Sequence, residues 1–217
     1  MSKLNSTPEE VRFKVLNQSK KMRFISGLFL DRDGVLVEEV GYLHQKQHIN
    51  LMPFAKDIVK IANSRGVAVI VVSNQSGIAR GIYDWVAYDS VEEEIYSQLY
   101  NDKARIDASV ACGMHPEHSQ NWKKTDEYWR KPGPGMLILA ASALQINLSS
   151  CWLIGDKVSD IIAAKKAGLS GSIHLETGHG LDNRRESLAE GTSSFSVLPA
   201  SDLGDAQKLL MEQGFLR

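Results

Sequence analysis

The residue pattern predicts an α/β fold, with a central, mostly parallel sheet flanked by helices and no large cap domain. Three observations carry that expectation. Short apolar runs rich in β-branched residues alternate with helical stretches, the rhythm of βα units. Three of these runs end on a polar residue and a sharp turn, as strands do where a parallel sheet meets a ligand crevice. Two longer irregular segments, Val35 to Met52 and Met114 to Pro134, interrupt the pattern, and neither is long enough to be a separate cap.

The stretch from Met1 to Arg23 mixes charges with isolated apolar residues and has no continuous apolar run, which argues against a signal peptide. Residues 1–23 are expected as an N-terminal extension, either a short docked helix or a flexible segment, ahead of a single domain over residues 24–217. The first expected strand runs from Gly27 to Asp31. Pro53 opens a helix through Asn63, and Gly66 stops it before a strand from Val67 to Ser73. Asp84 is the expected N-cap of a helix reaching about Tyr100, followed by a strand from Ile106 to Ala111. Pro134 starts a helix through Ala143. A strand from Cys151 to Gly155 leads into a helix from Val158 to Ala167, closed by Gly168, and a strand from Ser172 to Glu176 completes the set.

Composition narrows the function. The 217 residues carry 25 Lys plus Arg against 26 Asp plus Glu, so no overall basic field points to nucleic acid or an anionic membrane, and any phosphate binding must be local. Two cysteines, Cys112 and Cys151, are too few for a disulfide scaffold and fit a reducing cytoplasm. No membrane span is expected, because nowhere do about 18 apolar residues run together.

The polar strand ends carry the chemistry. They are Asp31 with Arg32-Asp33-Gly34, Ser73 with Asn74-Gln75-Ser76-Gly77, and Gly155-Asp156. Distant in sequence, these positions meet at the carboxyl edge of a parallel sheet. Asp31, Asp33 and Asp156 offer hard oxygen ligands suited to magnesium, which reduces their repulsion of an incoming phosphate. Asp160, about one helical turn after Asp156, is placed to orient the metal's surroundings or a lysine. Lys131, between Arg130 and Pro132, supplies fixed positive charge, and Lys157 either binds substrate or neutralises the acids. Gly77 and Gly81 match neither a Walker A loop nor a dinucleotide fingerprint, so turn geometry explains them. His179, in the polar loop Thr177-Gly178-His179-Gly180, is expected to be exposed at the site edge.

In these residues, from about Leu28 to Gly168, the sequence resembles the haloacid dehalogenase superfamily of phosphotransferases. The resemblance implies a Rossmann-like fold and in-line attack on phosphorus by Asp31. It implies magnesium held by Asp31, Asp156 and the Asp33 backbone carbonyl, with Ser73 and Lys131 on the phosphoryl oxygens and Asp33 as general acid and base. More narrowly, Asp31-Arg-Asp-Gly, Gly41-Tyr42, Asn74-Gln-Ser-Gly-Ile-Ala-Arg-Gly81, Arg130-Lys-Pro-Gly-Pro-Gly-Met136 and Gly155-Asp-Lys157 are similar to the bacterial D-glycero-D-manno-heptose 1,7-bisphosphate 7-phosphatases. That likeness implies a small phosphorylated sugar as partner, faced by Glu39, Val40, Gly41, Tyr42, Asn74, Gln75 and Ser76 and recognised by Arg130 and Lys157. Arg130 suits bidentate capture of a second phosphate. Two other readings stay open: a histidinol-phosphate phosphatase, and a silent phosphosugar-binding protein.

One departure stands out. Members of this group carry a structural zinc before the Arg-Lys-Pro motif, but here Cys112 is joined by Met114, Glu127 and Trp129 at the other ligand positions. One thiolate cannot close a tetrahedral site, so structural zinc is not expected, even counting His115 and His118. Trp122, Tyr128 and Trp129 are expected to pack this loop instead.

Overall fold

Continuous apolar runs build the middle of the sheet, because a strand covered on both faces has no solvent side to leave polar. A computed structural model of the chain describes residues 7–16 and 24–217. Its strands are β1 (Val11–Val15), β2 (Ser26–Leu30), β3 (Val67–Asn74), β4 (Ala108–Cys112), β5 (Trp152–Gly155), β6 (Gly171–Leu175) and β7 (Ser196–Ala200). They form one sheet in the order β1-β4-β3-β2-β5-β6-β7. All neighbours are parallel except β1, which runs antiparallel to β4. The helices are α1 (Ala55–Ser64), α2 (Ser76–Ala79), α3 (Trp85–Asn101), α4 (Gly135–Leu144), α5 (Val158–Ala167), α6 (Gly180–Ala189) and α7 (Leu203–Glu212).

The two-residue period of the strands divides the core between the faces of the sheet. Leu28 and Leu30 join a cluster with Ile58 of α1, Ile95 of α3 and Leu210 of α7. Phe29, between them, joins the opposite cluster with Met136 and Leu137 of α4 and Ile161 of α5. Each such side chain taken fully out of water contributes roughly 1.5–3 kcal/mol before its ordering cost.

The five expected strands and four expected helices are present, with shifted ends. Phe54, in the left-handed region at φ 64°, delays α1 to Ala55. Pro134 stands in the N-cap position of α4 rather than inside it. Asp84 caps α3 as expected, its carboxylate accepting from the Ala87 N–H at 2.9 Å.

Both readings of the N-terminal extension fail in its described part. Val11–Val15 is neither a docked helix nor a free segment but an edge strand, in register with Ala108–Cys112; residues 1–6 and 17–23 lie outside the described residues. Its sequence, Val-Arg-Phe-Lys-Val, alternates apolar and charged residues, as a half-buried strand does. In β7, Pro199 stands among the apolar residues Val197, Leu198 and Ala200, and it is tolerated there because β7 closes the other edge. No described helix is long and apolar enough to cross a membrane.

Candidate active site

β2 has β3 on one side and β5 on the other, so the chain leaves it in both directions along the sheet and opens a crevice beyond the carboxyl ends. A cavity of about 450 Å³ lies there. Asp31 follows β2, Ser73 ends β3 beside Asn74, and Asp156 follows β5, so three apolar strands deliver three polar groups to one place.

The floor is acidic. Asp31, Asp156 and Asp160 each bring one carboxylate oxygen within 4.8 Å of the others. Lys131 Nζ, buried among them, lies 3.0 Å from Asp31 Oδ1 and 2.6 Å from Asp160 Oδ1 and donates to the Val72 carbonyl at 2.9 Å. Burial alone lowers the pKa of Lys131, but Asp160 and Asp31 outweigh it and hold the ammonium well above its ordinary value. Asp160 also accepts from the Lys157 N–H at 3.1 Å, which ties the start of α5 to the same carboxylate. Asp160 thus contacts both Lys131 and the acidic cluster, the neighbours that its two expected roles require.

Asp156 is fully buried. Its Oδ2 accepts from the His179 N–H at 2.8 Å, while Oδ1 has no hydrogen-bond partner among the described residues. Burial first, then Asp31 and Asp160, push its pKa up to about 7. A Cβ at Gly34 would lie 2.6 Å from Asp156 Oδ2 and one at Gly178 2.3 Å away, and both residues have positive φ, 82° and 56°. Close approach and turn geometry thus both require glycine. An unpaired buried carboxylate oxygen is costly, and the donors here are all hard oxygens, so the residues present fit a small divalent cation such as magnesium.

Asp33 faces the cavity from inside a clasp. Arg32 Nε and Nη2 lie 3.0–3.2 Å from its two carboxylate oxygens, and Gln75 Nε2 donates to Oδ2 at 3.0 Å. Gln75 Nε2 also donates to Ser73 Oγ at 2.6 Å. Asn74 does more than face the cavity. It accepts from the Lys131 N–H at 3.1 Å and donates to the Lys131 carbonyl at 2.9 Å, clamping the lysine loop to β3.

On the rim, Glu39 Oε2 lies 3.4 Å from both Lys157 Nζ and His179 Nε2. Gly41, Tyr42, Ser76, Arg130 and Lys157 line the cavity with Glu39. Arg130 Nη1 donates to the Met114 carbonyl at 2.9 Å. Val40 does not line it and is half exposed. Asp156 and Asp160 lie beneath the lining. His179 is half exposed and lines the edge. Sequence reasoning missed Tyr83 and Ser159 on the wall, and Arg32 and Glu92 behind it. Glu92 had a readable signal, since it falls on the buried stripe Tyr88, Val91, Ile95, Leu99 of α3.

In the loop before Arg130, Trp122 and Trp129 pack against the core, and Trp129 meets Tyr128 edge to face at 5.2 Å between ring centroids. Cys112 is buried, its thiol pushed up to about 11 by burial. His115, Glu117 and His118 bring three ligand atoms within 4.8 Å without it, but His115 Nδ1 already accepts the Glu117 N–H at 3.2 Å.

A sheet with an acidic crevice of this kind defines the class of HAD-like hydrolases, and the family model described as HAD-hydrolase-like matches residues 128–199. A D-glycero-beta-D-manno-heptose-1,7-bisphosphate 7-phosphatase of Mesorhizobium japonicum is 36% identical over 146 residues, 67% of each chain. The protein of that name from Salmonella typhi is 30% identical over 82% of this chain and 95% of its own length. The crystal structure of a HAD-like phosphatase from Mesorhizobium loti superposes with a TM-score of 0.81 at 28% identity, covering 97% of this chain and 96% of that one. The D,D-heptose 1,7-bisphosphate phosphatase of B. bronchiseptica, complexed with magnesium and phosphate, shares the fold at a TM-score of 0.73 and 24% identity, over 87% of this chain and 99% of that one. This chain belongs to the family of HAD-like phosphatases that includes these heptose-bisphosphate 7-phosphatases.

Proposed function

We propose that this chain is a magnesium-dependent phosphomonoesterase that removes the 7-phosphate of D-glycero-D-manno-heptose 1,7-bisphosphate through an aspartyl-phosphate on Asp31. The observation that carries the reading is the Asp31 carboxylate at the switch point, 3.0 Å from Lys131 Nζ and open to the cavity. The names of the 30–36% identical relatives support the substrate.

Asp31 attacks phosphorus in line, and the bond from phosphorus to the sugar oxygen breaks as Asp33 gives that oxygen a proton. Ser73 and Lys131 hold the phosphoryl oxygens and the charge that develops on them. Asp33 then takes a proton from water, which attacks phosphorus, frees Asp31 and yields inorganic phosphate. Asp31, Asp156 and the Asp33 backbone carbonyl would hold magnesium, which when bound would supply the charge neutralisation that lets a phosphate approach three carboxylates. Arg130 and Lys157 take the rest of the substrate, with Glu39, Gly41, Tyr42, Asn74, Gln75 and Ser76 shaping its entry.

The same reading places the enzyme in the cytoplasm, with its two buried cysteines free. It takes residues 24–217 together with the edge strand β1 as one catalytic domain, with no structural zinc and no nucleic-acid partner. The test is a steady-state screen of phosphorylated metabolites with and without magnesium. Magnesium-dependent release with the highest kcat/KM on the heptose bisphosphate is expected. A preference for histidinol phosphate would replace the substrate, absence of any release would sink the enzyme reading, and stoichiometric zinc by elemental analysis would overturn the expectation of no structural zinc.

A further inference from the structure

Every atom that holds Asp33 is a donor. Arg32 approaches through Nε and Nη2 and Gln75 through Nε2, so the clasp suits a carboxylate and offers a protonated Asp33 no acceptor. To give or take a proton at the sugar oxygen, Asp33 must therefore loosen from Arg32 and turn toward the cavity.

How firmly Arg32 grips depends on its other partners. The guanidinium is 1% exposed, lies 3.5 Å from Glu92 Oε1 through Nη1, and donates to Gln75 Oε1 at 3.1 Å through Nη2. The Tyr88 ring lies 5.4 Å away. Glu92 is 2% exposed on the core-facing stripe of α3, does not line the cavity, and accepts from the Tyr96 hydroxyl through Oε2. A carboxylate in such a stripe, aimed at a buried cation, has no explanation in packing alone.

We propose that Glu92 is a positioning residue for the reaction: by sharing the charge of Arg32 it loosens the clasp on Asp33 and lets that carboxyl reach the leaving group. The inference rests on the reading of Asp33 as the general acid. Without the charge of Glu92, Asp33 is the one anion in contact with the buried guanidinium among the described residues, and parting them leaves a buried charge uncompensated.

The test uses Glu92→Gln, which removes the charge but keeps size and one acceptor oxygen, beside Asp33→Asn as reference. Each is assayed on the heptose bisphosphate, whose alkoxide leaves only with a proton, and on p-nitrophenyl phosphate, whose phenolate leaves without one. Because kcat/KM runs through departure of the leaving group, it reports the acid step. Glu92→Gln is expected to lose about tenfold in kcat/KM on the bisphosphate, a fraction of a full general-acid contribution, and little on the aryl ester. The ratio of the two is independent of how much of a preparation is folded. Equal losses, or none, while Asp33→Asn shows the split would overturn the role of Glu92 alone. If Asp33→Asn shows no split either, the acid assignment falls and this inference falls with it.

Discussion

In the proposed reaction Asp31 is the residue on which the chemistry turns, and its surroundings make the prediction sharp. Its carboxylate accepts from the Arg32 N–H at 2.7 Å and faces Lys131, contacts that an amide of equal size largely preserves. Asp31→Asn should therefore fold and melt like the parent yet lose turnover by at least about 10³-fold, since an amide oxygen is no anionic nucleophile; substantial steady-state activity in the folded variant would sink the assignment. In the same proposed reaction Arg130, which lines the cavity beside Lys131, takes the second phosphate. Losing a charge-assisted contact costs on the order of 1.5–3 kcal/mol. Arg130→Ala should thus depress kcat/KM on the heptose bisphosphate roughly ten- to a hundredfold more than on p-nitrophenyl phosphate, which has no second phosphate. Equal losses on the two substrates would mean that Arg130 serves the transferring phosphoryl group or the Met114 carbonyl it bonds.

Among the elements, β1 and the loop from Met114 to Pro134 lie at one end of the sheet, and they act differently. β1 covers the edge of β4, whose backbone otherwise offers a row of unpaired N–H and C=O groups. Phe13 packs partly against the core cluster under that edge. Phe13→Ala should cost about 1–3 kcal/mol in urea unfolding, less than a fully buried phenylalanine does, and leave kcat/KM unchanged because no residue of β1 lines the cavity. A large change in kcat/KM at unchanged stability would show that β1 is coupled to the site. The loop, by contrast, feeds the cavity directly. It is held by aromatic packing and by the Asn74 clamp on the Lys131 backbone, which places the lysine without requiring a metal in the loop.

At the scale of the whole molecule, the acidic floor sets stability against function. Asp156 has a folded pKa of about 7, above the roughly 3.9 of an unfolded aspartate. Its stabilising contribution is therefore fully present below about pH 4 and is lost as pH rises through about 7. In EDTA, Asp156→Asn should melt higher than the parent at pH 8, by about 5 °C, with the gap closing near pH 5. Added magnesium should raise the Tm of the parent and do little for the variant, because a ligand that binds only the folded state stabilises it. A gap that is the same at both pH values would remove the burial argument for Asp156.

What the sequence determined by itself was whatever depends on local pattern. Apolar runs marked the five buried parallel strands, and cap and stop residues such as Asp84 and Gly168 marked helix ends. Asp31, Ser73 and Asp156 were readable because a polar residue at the end of a buried strand in a parallel sheet has one place to go, and Lys131 because it stands in the Arg-Lys-Pro motif. The tertiary structure decided the rest, for identifiable reasons. β1 and β7 are edge strands with one partner each, so neither needs an apolar run, and β1 showed only a five-residue alternation. Val40 was counted with its neighbours, yet only the loop's path decides which of three adjacent residues turns inward. The contact between Glu92 on α3 and Arg32, just after β2, spans 60 positions, and Arg32 carries it on to Asp33. Nothing in local pattern pairs those charges; it is the packing of α3 on the sheet that buries them together and makes each the other's counterion.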